Sequence, residues 1–301
     1  MIRTLLTIPL LLCAVASHAQ LAHDSDLSVR LDDSSDRDIR GQYRLRIRPD
    51  YSFSDNWSMH AFIATGDEFE SAYNTIDDSD DQINVRRLFA RYQVANGSKL
   101  EVGVIPPFKG RVSSTGLSKE GWIRGARGVW MTRSGAVELV IGSLDDLRSS
   151  EALTADFDLD YFEFEYSGRL NEEWSFELGA ERMFDSRFLR TEIRYAPAGS
   201  ASIAGELIHN TTEGSSKVVL STLRELSWSA QTIEWFTYYS YTGPDFGRRA
   251  DLAEDFLEFG HALATKLEGG FKRFDRLGWF AELEVYENRS RLKLGFELDL
   301  R

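Results

Sequence analysis

The chain has 301 residues, with 35 Lys and Arg against 48 Asp and Glu and a formal net charge of −13. That acidic balance excludes the basic footprint of a nucleic-acid binder, and the 12% aromatic and 28% charged fractions exclude a disordered polar chain. The single cysteine, Cys13, sits in the leading apolar stretch, which excludes a disulfide framework or a cysteine-based metal site in the rest of the chain.

Residues 1–19 read as a secretory signal peptide. Arg3 supplies the charged start, Leu5 to Ala16 the short apolar core, and Ser17-His18-Ala19 a small-x-small cleavage site. The core falls short of the roughly 20 residues that a spanning helix needs. A lipoprotein signal would carry a small residue before its cysteine, whereas Leu12 precedes Cys13. The mature segment, 20–301, then contains no cysteine, as suits an envelope protein rather than a disulfide-stapled scaffold.

Beyond residue 20 no apolar run reaches the length of a spanning helix. Alternation with period two recurs instead. A weak first strand is predicted over 26–32. The second, IRGQYRLRIRPDYSF over 39–53, carries Ile39, Tyr43, Leu45, Ile47, Tyr51 and Phe53 on one face. The other face carries Arg40, Gln42, Arg44, Arg46, Arg48 and Asp50. Successive strand side chains point to opposite faces, so the segment has one apolar and one charged wall; as a helix it would scatter arginines all round. Further alternating segments follow at 57–66, 82–94, 98–105, 124–132, 136–144, 156–167, 173–184, 187–196, 201–210, 216–224, 228–241, 255–267 and 277–287. The last strand sets Leu292, Leu294, Phe296, Leu298 and Leu300 against Lys293, Gly295, Glu297, Asp299 and Arg301.

Connectors alternate as well. Short turns are predicted at 54–56, 95–97, 133–135, 168–172, 197–200 and 225–227, with a longer one of the same series at 268–276. Between them come loops at 33–37, 67–81, 109–123, 145–155, 211–215 and 242–254, and tighter ones near 185 and 288. Ten-residue alternating segments joined by short periplasmic turns and longer extracellular loops predict an all-β fold: a transmembrane antiparallel β-barrel of about 16 strands in the bacterial outer membrane. Exposed backbone groups are costly in lipid, so the barrel must close, with the strand near residue 26 paired to the strand near residue 300. A soluble β-sandwich also alternates. Against it stand single, regular apolar faces, Trp57, Trp174 and Trp228 directly after short turns as an interfacial girdle would require, and the terminal alternating strand.

The stretches GQYRLRIRPDYSFSDNWSMHAFIATGDE (41–68), INVRRLFARYQV (83–94) and LEVGVIPPFKG (100–110) resemble the bacterial outer-membrane porins grouped with the phosphate-selective porins. The likeness covers about the first third of the chain. It implies a 16-stranded, often trimeric channel, whose anion-selective members use lysine and arginine clusters.

Catalytic and metal patterns are sparse, and no cofactor is expected. His23, His60, His209 and His261 follow no ligand spacing. A barrel lipase would need Ser, His and a polar third partner on the outer wall, whereas His60 falls on the inner face. The acidic loop 67–81 offers Asp67, Glu68, Glu70, Asp77, Asp78, Asp80 and Asp81. It lacks the glycine and terminal Glu of an EF-hand, leaving a solvated loop or divalent bridging to anionic lipid. Inward faces of the early strands give Arg40, Arg44, Arg46, Arg48, Arg87, Arg91 and Arg127. Later strands give Glu138, Glu163, Glu165, Glu177, Glu181, Glu206, Glu282 and Glu284, with Arg190 and Arg194 as exceptions. A basic wall facing an acidic wall would orient polar solutes and set ion preference; inter-strand ion pairs that cancel these charges are the alternative. The row Arg40, Arg44, Arg46 and Arg48 needs offsetting by solvent counter-ions or by carboxylates such as Glu101 and those across the lumen. Loop 109–123, with Lys109, Arg111 and Lys119, is the expected constriction. The expected function is passive diffusion of small hydrophilic solutes and ions. A non-conducting barrel serving as anchor or adhesin is the second reading, and a barrel enzyme the third.

Overall fold

The computed structural model describes residues 20–66, 73–76, 82–107, 122–144, 153, 158–228, 231–247, 249 and 259–301. The expected signal peptide lies outside these residues. So do Lys109, Arg111 and Lys119 of the expected constriction loop, and the seven acids of loop 67–81.

One antiparallel sheet holds every strand. In chain order these are β1 (Gln20–Ser34), β2 (Arg37–Ser52), β3 (Trp57–Thr65), β4 (Asn74–Thr75), β5 (Ile83–Gln93), β6 (Lys99–Ile105), β7 (Ile123–Met131), β8 (Gly135–Ser143) and β9 (Tyr161–Arg169). They continue as β10 (Trp174–Met183), β11 (Ser186–Tyr195), β12 (Ser202–Asn210), β13 (Ser215–Trp228), β14 (Gln231–Thr242), β15 (Gly260–Phe271), β16 (Phe274–Tyr286) and β17 (Ser290–Asp299). The two-residue β4 lies in the connector after β3 and pairs with Gln42 and Tyr43 of β2. The other sixteen form a closed wall, each paired with its neighbours in the chain. Closure comes from β1 and β17, in register from Asp26↔Asp299 to Ser34↔Arg291. No described helix is long and apolar enough to cross a membrane.

Burial follows the alternation but is inverted relative to a soluble protein. In β11, Arg190 is 2% and Glu192 1% exposed, while Leu189 is 54% and Ile193 46% exposed. A soluble sandwich would bury the leucine and the isoleucine. Charged residues inside and apolar residues outside describe a wall that meets hydrocarbon. Trp57 and Trp174 open β3 and β10 at the short-turn end, where their rings pack on Tyr92 at 5.0 Å and Tyr195 at 4.7 Å between centroids. These four form part of the expected girdle.

Several strand limits differ from the sequence reading. β1 begins at Gln20, because Gln20 to Asp24 stay paired with Ser52 to Arg48 of β2. β13 runs on through Trp228, which pairs with Gln231; no turn occupies 225–227, and Trp228 closes a strand instead of opening one. The turn predicted over 268–276 shrinks to Lys272 and Arg273, since Gly269 to Phe271 still pair with β16. Polar residues at these ends do not end the strands, whose backbone pairing continues through them.

On β6, β7 and β8, Gly103, Gly125 and Gly142 stand in one cross-strand row. A Cβ on Gly125 would lie 2.1 Å from the Ile141 carbonyl oxygen, and one on Gly103, whose φ is +131°, 2.6 Å from that of Leu88. The row lets the wall bend sharply there. Inside the barrel, toward the long-connector end, Ile105, Ile123, Val140, Tyr161, Met183, Phe188, Ile208 and Phe246 belong to one buried apolar cluster. Part of the inner face is therefore apolar.

Candidate channel lining

The β2 arginines project inward, opposite acids of β1 at Asp24↔Arg48, Asp26↔Arg46 and Asp32↔Arg40, with Ser28 opposite Arg44. Arg46 donates from Nε to both Asp26 carboxylate oxygens, at 2.7 and 2.9 Å. Arg48 Nη1 lies 3.0 Å from the same carboxylate. Glu297, across the seam on β17, takes Arg46 at 3.2 Å and Arg44 at 3.5 Å. The guanidinium groups of Arg30 and Arg44 lie 3.6 and 4.5 Å from the centroid of the Tyr73 ring, and Arg40 is exposed near the rim. The sequence suggested Glu101 as a counter-ion for this row. It instead binds Arg91 at 2.8 Å, Lys99 at 2.9 Å and Arg127 at 3.2 Å. Arg127 also reaches Glu138 at 3.0 Å. Arg87 covers the Phe62 ring at 4.8 Å. A bulge opposite Phe62 and Ile63 leaves Arg86 out of register, and its guanidinium donates to the Gly66 carbonyl at 2.7 Å.

The far wall is built around buried carboxylates. Arg190 sits among Glu165 at 2.6 Å, Glu206 at 3.4 Å and Glu177. Tyr161 donates its hydroxyl to Glu163 at 2.7 Å, and Arg194 lies 3.4 Å from Glu192. Glu282 and Glu284 share Lys293. Each acid expected on the inner face is found there; Arg190 is the counter-ion of Glu165, Glu177 and Glu206, and Arg194 that of Glu192. Among the described residues of β9 to β12, the inward carboxylates Glu163, Glu165, Glu177, Glu181, Glu192 and Glu206 outnumber Arg190 and Arg194. On β1 to β7 the inward arginines outnumber Asp24, Asp26, Asp32, Asp50 and Glu101. Local pairing is extensive, and a basic-to-acidic asymmetry remains across the lumen.

Among the described residues the histidines form no reactive cluster. His60 is inward, linked at Nδ1 to the Asp50 carboxylate and at Nε2 to Ser58 Oγ at 2.8 Å, and it stacks on Phe89. His209 and His261 hydrogen-bond Ser216 Oγ and the Tyr239 hydroxyl. Among the described residues no group of His, Cys, Asp and Glu is placed to hold a metal.

Arg249, from the connector between β14 and β15, was not anticipated. It donates from Nε and Nη2 to the two carboxylate oxygens of Glu181 at 2.8 and 3.0 Å. Burial works against its charge, but the Glu181 carboxylate outweighs that and holds the guanidinium above its ordinary pKa.

A closed sixteen-stranded barrel, apolar outside and charged within, has the fold of a porin-type channel. Solved structures bear this out. One is a variant of the Rhodopseudomonas blastica porin with five substitutions (TM-score 0.61, 14% identity, covering 93% of this chain and 100% of that one). A triple variant of the same porin gives a TM-score of 0.60 at 12% identity, with 93% and 100% coverage. A third structure, concerned with asymmetric conductivity of engineered proteins, gives 0.60 at 12% with the same coverage. No protein-family model and no curated protein matches the chain.

Proposed function

We propose that this protein is an outer-membrane channel through which small hydrophilic solutes and ions diffuse passively, without a cofactor. The observation that carries the reading is the closed wall with charged residues facing inward and apolar residues facing outward. Lipid is then the partner of the outer wall, and a homotrimer is its assembly. The lining comprises Arg40, Arg44, Arg46, Arg48, Arg87, Arg91 and Arg127 on one side and Glu138, Glu163, Glu165, Glu177, Glu181, Glu282 and Glu284 on the other. Between these walls a dipolar solute would align its negative end with the arginines and its positive end with the glutamates. Swelling of liposomes loaded with the refolded protein tests this. Small sugars and amino acids should swell them and large dextrans should not; no swelling with any solute contradicts the channel.

One observation favours the second reading, a non-conducting barrel. Inward side chains near mid-height and above, among them Ser28, Asp32, Glu206, Lys217 and Glu284, are buried. The same swelling experiment separates the two.

A further inference from the structure

The connector after β14 folds into the barrel. Thr242 is buried at the strand end, and the next amide, Gly243 N, donates to the Ser216 carbonyl at 2.9 Å. Asp245 and Gly247 both have positive φ, 62° and 87°, so the chain bends sharply on either side of Phe246. Phe246 is fully buried, in the interior cluster, with its ring 5.6 Å from that of Phe188 on β11. Its carbonyl accepts a hydrogen bond from Asn210 Nδ2 of β12 at 3.0 Å. Arg249 then grips Glu181 on β10 with two hydrogen bonds. From β14 to β10 is four strand spacings, about 19 Å of wall at roughly 4.8 Å each. The segment is thus fixed at four strands other than the two it joins, β13, β12, β11 and β10.

We infer that residues 243–247 together with Arg249 form a constriction element that sets the size limit of the channel, with Phe246 as its anchor and the Arg249–Glu181 pair as its tether. The inference rests on the channel reading above. Its physical basis is the cost of release. Withdrawing the segment would expose Phe246 to water and separate two buried opposite charges, and a buried charge that loses its partner is strongly destabilising. The segment also stands against the acid-rich wall of β10 to β12. It therefore displaces the free path toward β1 to β3 and β15 to β17, where Asp50, Glu268 and Glu297 remain solvent-accessible at the short-turn end. Solutes would pass closer to the β2 arginines than a symmetric lumen would bring them.

The test uses the full mature chain carrying Phe246→Ala with Arg249→Ala, reconstituted beside wild type in planar bilayers. Single-channel conductance should rise about twofold or more, since conductance follows the open cross-section of the pore, and swelling assays should admit larger sugars. A silent wild type beside a conducting variant overturns both the channel reading and the size-limiting role, since the segment then seals the barrel. Equal conductance and equal size limit in two conducting proteins overturn the inference and leave the channel reading intact. If neither conducts, the channel reading fails and the inference with it. Should the double variant not fold, Glu181→Gln weakens the tether without emptying its site and is held to the same outcomes. Placement is checked separately with Phe246→Cys, because the mature segment has no other cysteine. A bulky water-soluble maleimide should label that thiol far more slowly in the folded barrel than in urea, and equal rates overturn the inward fold.

Discussion

Asp32 on the first strand and Arg291 on the last are joined by a two-pronged ion pair, Nε to Oδ1 at 2.7 Å with Nη2 on Oδ2, across the seam where the barrel closes. Asp32 is fully buried and also takes Arg37 at 2.8 Å and Arg30 at 3.5 Å. Arg291 reaches on to Glu284 at 3.8 Å. Closure is thus reinforced inside the wall by charge as well as along it by backbone hydrogen bonds.

Asp32→Ala should therefore weaken the seam. It strands several guanidinium groups with no carboxylate between them, and losing one partner of a buried pair costs about 3 kcal/mol or more. The urea midpoint of the reconstituted barrel should fall clearly, and Asp32→Asn should fall less because it still accepts a hydrogen bond. An unchanged midpoint for Asp32→Ala would show that the seam needs no ion pair.

The β2 arginines divide into paired and weakly paired groups. Asp26 serves Arg46 and Arg48 closely, whereas Arg44 has only a 3.5 Å contact to a carboxylate that Arg46 shares. Removing Asp26 and Arg46 together changes no net charge, so ion selectivity should hardly move. Arg44→Glu should shift the reversal potential toward cations, and more so in dilute salt, where screening reaches further. Equal shifts for the two variants would contradict this division.

Curvature at the glycine row gives a third outcome. Gly125→Ala would drive a methyl group into the Ile141 carbonyl, and Gly103→Ala would add strain at a φ that L residues avoid, whereas Gly270 has open space around it. Folded yield, read as heat-modifiable migration on gels, should drop for the first two and hold for Gly270→Ala. Normal yield of Gly125→Ala would mean that the wall relaxes without it.

The outer wall predicts its own solvent. Leu294 is exposed and flanked in register by Leu31 and Ala281. Leu294→Arg should cost about 2–4 kcal/mol if that position meets the hydrocarbon mid-plane, seen as a lower unfolding midpoint in bilayers. The same midpoint as wild type would mean that this face is not in lipid.

Much of this was legible in the sequence because period-two alternation is local. IRGQYRLRIRPDYSF declares its two faces by itself, and the inward Glu163, Glu165, Glu177 and Glu181 follow from the same parity. Partners were not legible, since they depend on register between strands. Asp24, Asp26 and Asp32 lie in a first strand whose apolar signal is weak, so the true counter-ions of Arg46 and Arg48 went unseen and Glu101 was named instead. Arg86 was missed because one bulge breaks parity. Arg249 and Phe246 were missed because nothing local says that a connector turns inward; the only hint was Gly247 beside Asp245, two residues that tolerate positive φ.

The most direct test is single-channel recording from the refolded mature chain in planar bilayers. Discrete, ohmic current steps that persist without any added ligand, and whose ion preference moves with Arg44→Glu, are the predicted result. A correctly folded, heat-modifiable barrel that inserts yet carries no current, in wild type and in Phe246→Ala with Arg249→Ala alike, would contradict the account.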